Sequence, residues 1–277
     1  MNPCLVPKPA QSRSGDDRWI HIHNRFLSET KEREPDVVIL GDNITSQLEQ
    51  RSIWKEVFAP MHILNFSIIG DQIQNVMWRV QNGELDNIKP KVVVLYVGEI
   101  NIRSLNKPEE AIEGLLELIK VTKEKQPEAQ ILVQVGSNYY ITNSRLMSEE
   151  VAITIVPDDR LRQPTDLRMV ADILTPSVHI PCIILLKYPF SLQELLPRGL
   201  NPNPLRDSIE KFNTLLKESM TDEQTFKVVP VGEGIVKADG TISHVDLVDW
   251  YYPSNDGYLK AFGPLVIELK TILQNSG

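Results

Sequence analysis

Three short turns in this chain carry side chains able to do chemistry: Gly41-Asp42-Asn43, Gly70-Asp71 and Gly98-Glu99-Ile100-Asn101. Carboxylates and amides gathered at one place can hold a proton, orient a partner or stabilise a developing anion. Nucleophilic acyl transfer would need a hydroxyl or thiol beside a base. Ser46 and Ser67 are the serines close to these turns, and His244 is the histidine nearest Asp249 in sequence. None of the three occupies the tip of a turn. Plain structural roles compete at each position. Asp42 and Asp71 can cap the helices that follow them, and the glycines can serve the turns alone. Asp249 can be a hydrogen-bonded turn carboxylate. Trp19, Trp54, Trp78 and Trp250 read as core or interface aromatics.

Something must bring these turns together. Each follows a run rich in β-branched residues: DVVIL at 36–40, HILNFSII at 62–69 and KVVVLYV at 91–97. Such runs suit strands covered on both faces. QILVQ at 130–134 and 227–231 give a fourth and a fifth strand. Helical spacing marks 16–34 through Trp19, Ile22, Phe26 and Leu27, and helices also read over 71–81, 109–125, 204–220 and 255–274. Alternating strands and helices predict an α/β domain with a parallel sheet. In such sheets the site lies beyond the carboxyl ends of the strands, where the three polar turns fall.

Composition narrows the partners. The 277 residues are 42% hydrophobic and 24% charged, enough for one large domain with a sizeable core. A formal net charge of −8 argues against a nucleic-acid partner. Cys4 and Cys182 make neither a disulfide framework nor a metal-ligand set, and no metal or other cofactor is expected. Residues 1–15, rich in Pro and Ser, read as a disordered tail. They lack the apolar core of a signal peptide, and no run is long enough to span a membrane, so a cytoplasmic location is expected.

Longer motifs narrow the reading further. The chain contains PDVVILGDN at 35–43, LNFSIIGDQIQNVMWRVQNGELDNIKPKVVVLYVG at 64–98, LLPRGLNPNPLR at 195–206 and DGTISHVDLVDWYYPSNDGY at 239–258. These resemble the platelet-activating factor acetylhydrolase Ib catalytic subunits, members of the SGNH (GDSL-like) hydrolases, over 16–134 and 194–275. The resemblance implies a flavodoxin-like three-layer α/β/α sandwich with a central parallel five-stranded sheet. It also implies hydrolysis of an sn-2 acetyl ester through a Ser-Asp-His triad. Carried over by position, the nucleophile's place is Asn43, the aspartate is Asp249 and the histidine's place is Tyr252. The two oxyanion places are Gly70 and Ile100. An amide is no acyl nucleophile, a phenol with a pKa near ~10 is no base at neutral pH, and isoleucine has no donor. Loss of the nucleophile alone costs on the order of 10⁶ in rate in a serine hydrolase. The resemblance therefore implies a divergent, inactive member with vestigial positions Asn43, Gly70, Ile100, Asp249 and Tyr252.

One stretch breaks the family pattern. Residues 135–193 interrupt the fourth strand, and removing them would restore QILVQELLPRG. A structureless loop of that length is uncommon inside a domain. The stretch reads as retained-intron sequence of low order, with a lineage-specific surface loop as the rival. Residues 16–275 otherwise form one domain. Three functions stay open at this level. The chain is an interaction protein that forms homo- or heterodimers and docks a lissencephaly-type WD40 β-propeller protein. Alternatively, it is a phospholipid- or acyl-binding module, or a residual acetyl-ester hydrolase with a rearranged site.

Overall fold

The computed structural model describes residues 1–11, 15–135, 191–219, 226–230 and 234–275, with side chains of 133–135 and 191–194 outside the description. The chain divides into two compact units. Met1–Asn138 with Tyr188–Gly277 forms the first. Tyr139–Lys187 forms the second and lies wholly outside the described residues, as do 136–190 of the 135–193 stretch for which low order is expected.

Six strands form one parallel sheet: β1 (Val37–Gly41), β2 (Ile63–Ser67), β3 (Val92–Tyr96), β4 (Gln130–Val135), β5 (Ser191–Glu194) and β6 (Phe226–Val229). Five run in the order β2-β1-β3-β4-β5, and β6 also bonds β4 through Ile131 and Phe226. The strand anticipated at 227–231 is β6. The place beside β4 is shared with β5, which the sequence reading did not contain. Residues 191–193 (Ser-Leu-Gln) lie in register with 132–134 (Leu-Val-Gln), so Gln134 and Gln193 are direct partners.

Every residue of β1 and β3 is buried, as unbroken Val/Ile/Leu runs require when both faces are covered. Helices α1 (Arg18–Glu32), α2 (Asn43–Leu48), α3 (Ile73–Arg79), α4 (Glu99–Arg103), α5 (Pro108–Lys125), α6 (Pro204–Glu218) and α7 (Asn255–Asn275) flank the sheet. Helix α5 starts where Pro108 occupies the first turn and ends at Gln126, just before Pro127. Helix α7 lays Phe262 against Phe58 and Tyr96, with the Tyr258 ring beside Phe262. The flanked parallel sheet is the expected α/β fold.

Register sets the site. Gly41 pairs with both Ser67 and Tyr96, so β1, β2 and β3 end flush on one edge. Gly41 tolerates no side chain, because a Cβ there would collide with Thr45 Oγ1 and Tyr96 O.

The start of the chain departs from the expected tail over 1–15. Residues Pro3–Leu5 form a 3-10 turn, and Cys4 is fully buried. Its seat is Gly114 on α5, where a Cβ would stand 2.6 Å from Cys4 Cβ. Asn2 Nδ2 donates to Glu110 O at 2.8 Å, and Asn75 Nδ2 donates to Lys8 O at 3.0 Å. A small thiol fits a glycine slot, and one amide from each side ties the strap to α5 and α3. Composition alone hides both.

A buried charge network underlies α1 and α3. Arg79 is fully buried, and its Nε donates to Asp71 Oδ2 at 2.9 Å while Nη1 donates to Glu84. Trp19 Nε1 donates to Asp71 Oδ1 at 2.6 Å, and His23 Nδ1 lies 3.2 Å from Glu84 Oε1. The Trp-Arg-x-x-Asn-Gly-Glu motif thus supplies a structural ion-pair cluster.

Candidate active site

Asp42 follows β1 and caps α2, its Oδ1 accepting from Ile44 N at 3.2 Å. Burial first, and then the neighbouring Glu99, push its carboxyl well above the usual range. Asp71 caps nothing and instead belongs to the Arg79 cluster. Burial raises its pKa to about 6 against the opposing pull of Arg79. Burial acts to lower Arg79's own pKa, but Glu84 and Asp71 outweigh it, so the guanidinium stays charged.

The Asp71 shift makes stability depend on pH. The unfolded carboxyl loses its proton near the ordinary 3.8, and the folded one keeps it to about 6. Between those values the native state binds more protons, so this residue's contribution to stability falls as pH rises, then levels off. Asp71→Asn is expected to flatten that fall. Urea midpoints of both proteins across about pH 4 to 6.5 measure it.

Asn43 opens α2 and is 4% exposed. Both ends of its amide are used. Oδ1 accepts from the backbone N–H of Gly70 at 2.6 Å, and Nδ2 donates to Tyr251 Oη at 2.9 Å. Tyr251 Oη in turn donates to Glu99 Oε2 at 2.9 Å. The Tyr251 ring sits between two guanidinium groups, with Arg198 Cζ 4.2 Å and Arg103 Cζ 5.2 Å from its centroid. Arg198 Nη1 also donates to Tyr251 O. Burial first, and then Glu99, raise the phenol's pKa, so Tyr251 is held neutral.

The other anticipated positions separate into near and far. Gly70 lies in the turn after β2, and its N–H is taken by Asn43. Ile100, 6% exposed, lines the same cleft of about 610 Å³ as Asn43, Gly70, Ile68, Ile69 and Arg103. Asp249 is exposed, and its Oδ1 accepts from the backbone N–H groups of Tyr251 at 3.0 Å and Tyr252 at 2.7 Å. That is the turn role weighed for it. Tyr252 stacks edge-on against Tyr251, ring centroids 4.6 Å apart, and it is Tyr251 whose hydroxyl meets Asn43. Tyr251, Glu99 and Arg198 were not anticipated as a group. Their only sequence signals were Glu99's place in the third turn and Arg198's in the Leu-Leu-Pro-Arg-Gly motif.

The two serines near the turns bond within the protein. Ser46 Oγ donates to Asn43 O at 2.8 Å, and Ser67 Oγ donates to Asn65 Oδ1 at 2.6 Å. His244 is exposed. Asn101, the last polar residue of the third turn, spends its amide on Ile73 N, Gln74 Oε1 and Cys4 Sγ. Among the described residues, no group of three or more His, Cys, Asp or Glu could hold a metal ion. No described helix is long and apolar enough to cross a membrane.

Comparison with known proteins gives the family and the fold. The chain is 35% identical over 264 residues to platelet-activating factor acetylhydrolase IB subunit alpha2 of Gallus gallus, spanning 95% of this chain and 89% of that protein. It is 33% identical to the subunit beta homolog of Drosophila melanogaster, spanning 100% of this chain and 96% of the relative. The chain belongs to the platelet-activating factor acetylhydrolase Ib subunit family. Among solved structures it is similar in fold to a GDSL-like lipase from Bacteroides thetaiotaomicron (TM-score 0.57, 11% identity, 91% of this chain and 98% of that one). A Streptococcus pneumonia protein gives a TM-score of 0.59 at 15% identity, over 90% of this chain and 92% of that one. No family model matches the chain. Within the acetylhydrolase Ib family, the positions to which the resemblance assigns chemistry hold Asn43, Ile100 and Tyr252 here.

Proposed function

We propose that this acetylhydrolase Ib family member does not turn over esters and acts in the cytoplasm as a dimerising interaction protein. One observation carries the first half. Asn43 Oδ1 stands 2.6 Å from Gly70 N, so the donor a tetrahedral intermediate would need is already bonded within the protein. The hydrogen bond from Asn43 to Tyr251, and from Tyr251 to Glu99, fixes the amide in that pose. A substrate carbonyl would have to displace a satisfied contact and would then find no nucleophile.

Association is the function left to an intact fold without turnover. The family resemblance supplies its form: a homo- or heterodimer, and a lissencephaly-type WD40 β-propeller protein as partner. Purified chain is expected to give no acetyl-ester hydrolysis above the uncatalysed rate, and to retain the propeller protein in a pull-down at micromolar concentration. Turnover abolished by one substitution in this chain contradicts the first half. Failure to retain the propeller protein contradicts the second.

A second reading is favoured by the cleft itself. Ile68, Ile69 and Ile100 line it beside Asn43, and such an apolar wall suits an acyl chain. On this reading the chain holds a phospholipid or acyl group without cleaving it. Alkyl phospholipid would then raise the melting temperature, since a ligand selective for the native state stabilises it. No shift at saturating lipid would remove the reading.

A further inference from the structure

Helix α7 carries an outward face that none of the described residues covers. Its inner face buries Tyr258, Phe262, Leu265 and Leu269 in the core. Leu259 is 52% exposed and Ile267 is 69% exposed, and both lie on the opposite side with Gly263 midway between them. A Cβ at Gly263 would meet nothing within 4 Å, so the space above it is open. Pro264 crowds a side chain on the residue before it, which gives the glycine a local reason. It gives none for the two exposed apolar residues.

The face is symmetric about Gly263. Leu259 and Ile267 stand four residues to either side of it, about 6 Å along the axis. Asp256 and Lys270 stand seven residues to either side, about 10 Å along the axis, on the same side of the helix. The other two charged residues of α7 are already engaged: Lys260 with Asp246 at 2.6 Å, and Glu268 with Lys227. No ion pair among the described residues takes Asp256 or Lys270. A twofold axis through Gly263 lays a second α7 antiparallel across the first. Leu259 then faces the partner's Ile267, and Asp256 faces the partner's Lys270.

We propose that the outer face of α7 is a self-association surface, taking α7 of a second copy of this chain in an antiparallel pair centred on Gly263. Self-complementarity selects that occupant, because apolar meets apolar and acid meets base, each of them twice. With no side chain at the centre the two backbones approach closely. A shallow crossing of about 20° keeps the flanking pairs within reach. This face gives the dimerising reading above its surface and rests on that reading. One helix pair is a small contact, so dissociation in the micromolar range is expected.

Sedimentation equilibrium of the full chain at about 1–100 μM tests it. The wild-type chain is expected to show a monomer–dimer equilibrium. Ile267→Glu is expected to weaken it at least about a hundredfold, since each new carboxylate is set against a leucine. Asp256→Lys and Lys270→Asp each bring like charges together twice, and each alone is expected to weaken it about tenfold. Mixed in equal amounts, those two variants are expected to pair with one another at wild-type strength, because every charge then faces its opposite. All three positions are exposed, so the variants are expected to fold, which circular dichroism checks. A wild-type dimer unchanged by Ile267→Glu, or no recovery in the mixture, overturns this surface and leaves dimerisation standing. A wild-type chain still monomeric at about 100 μM removes both. If Ile267→Glu leaves the dimer unchanged but loses the propeller protein in a pull-down, the face belongs to that partner and the proposal is overturned.

Discussion

Replacing Arg79 with methionine is expected to destabilise the protein by about 3–5 kcal/mol, the cost of breaking a buried ion pair from one side. The argument rests on what the arginine leaves behind. Arg79 bonds Asp71 through Nε and Glu84 through Nη1, and all three side chains are fully buried. Methionine matches the stem in volume, so little of the loss comes from packing. Two carboxyl groups would instead remain in the interior with no cation between them. Trp19 would still donate to Asp71, and His23 would still meet Glu84, which relieves part of the penalty. Arg79→Lys keeps a charge but cannot fork to both acids, so an intermediate loss is expected. Urea midpoints for the two variants measure the difference. A loss under about 1 kcal/mol in Arg79→Met would mean the cluster is far weaker than its burial implies.

Removing 135–193 and joining Gln134 to Glu194 is expected to leave the fold intact and raise its stability. The sheet explains why the joint is short. Gln134 and Gln193 are partners in adjacent parallel strands, about 4.8 Å apart, so Glu194 begins one residue beyond a direct neighbour of Gln134. The residues after the joint, Leu195 and Leu196, are already fully buried. Glu194 would follow Gln134 as it now follows Gln193, and β4 would take over the position of β5. By the chain-entropy relation, closing a loop of this length costs on the order of 3 kcal/mol, and its removal recovers that term. For a domain of this size the gain corresponds to roughly 6–12 °C in melting temperature. A shortened chain that is insoluble, or that melts below the full chain, would show that the segment is integral to the fold. Sequencing of mature transcripts across codons 134 and 194 addresses the intron reading separately. Messages that all contain the segment contradict it.

The parts of the fold visible in the sequence are those built from local pattern. β1 and β3 declared themselves as β-branched runs ending in glycine, and α5 as an amphipathic stretch with prolines at both ends. β5 did not, because Ser-Leu-Gln-Glu is short and polar at all but one position and becomes a strand only by lying beside β4. The strap over residues 1–11 stayed hidden for a similar reason. Its fit depends on Gly114, a residue more than a hundred positions away. The site divides the same way. Family motifs located Asn43, Gly70 and Ile100, each close to a strand end. They pointed to Tyr252, whereas the hydroxyl that reaches Asn43 belongs to Tyr251. Tyr251 meets Glu99 from 152 residues further along the chain, a contact no spacing rule conveys.

The most direct test of the account is reaction of the purified wild-type chain with a fluorophosphonate, read by intact mass and peptide mapping. Such a probe phosphonylates an activated serine and leaves unactivated hydroxyl groups untouched. With an amide at position 43 and the Gly70 N–H already bonded to it, the chain is expected to keep its mass unchanged. Stoichiometric labelling of Ser46 or Ser67, removed by changing that one serine to alanine, would show a working nucleophile and contradict the account.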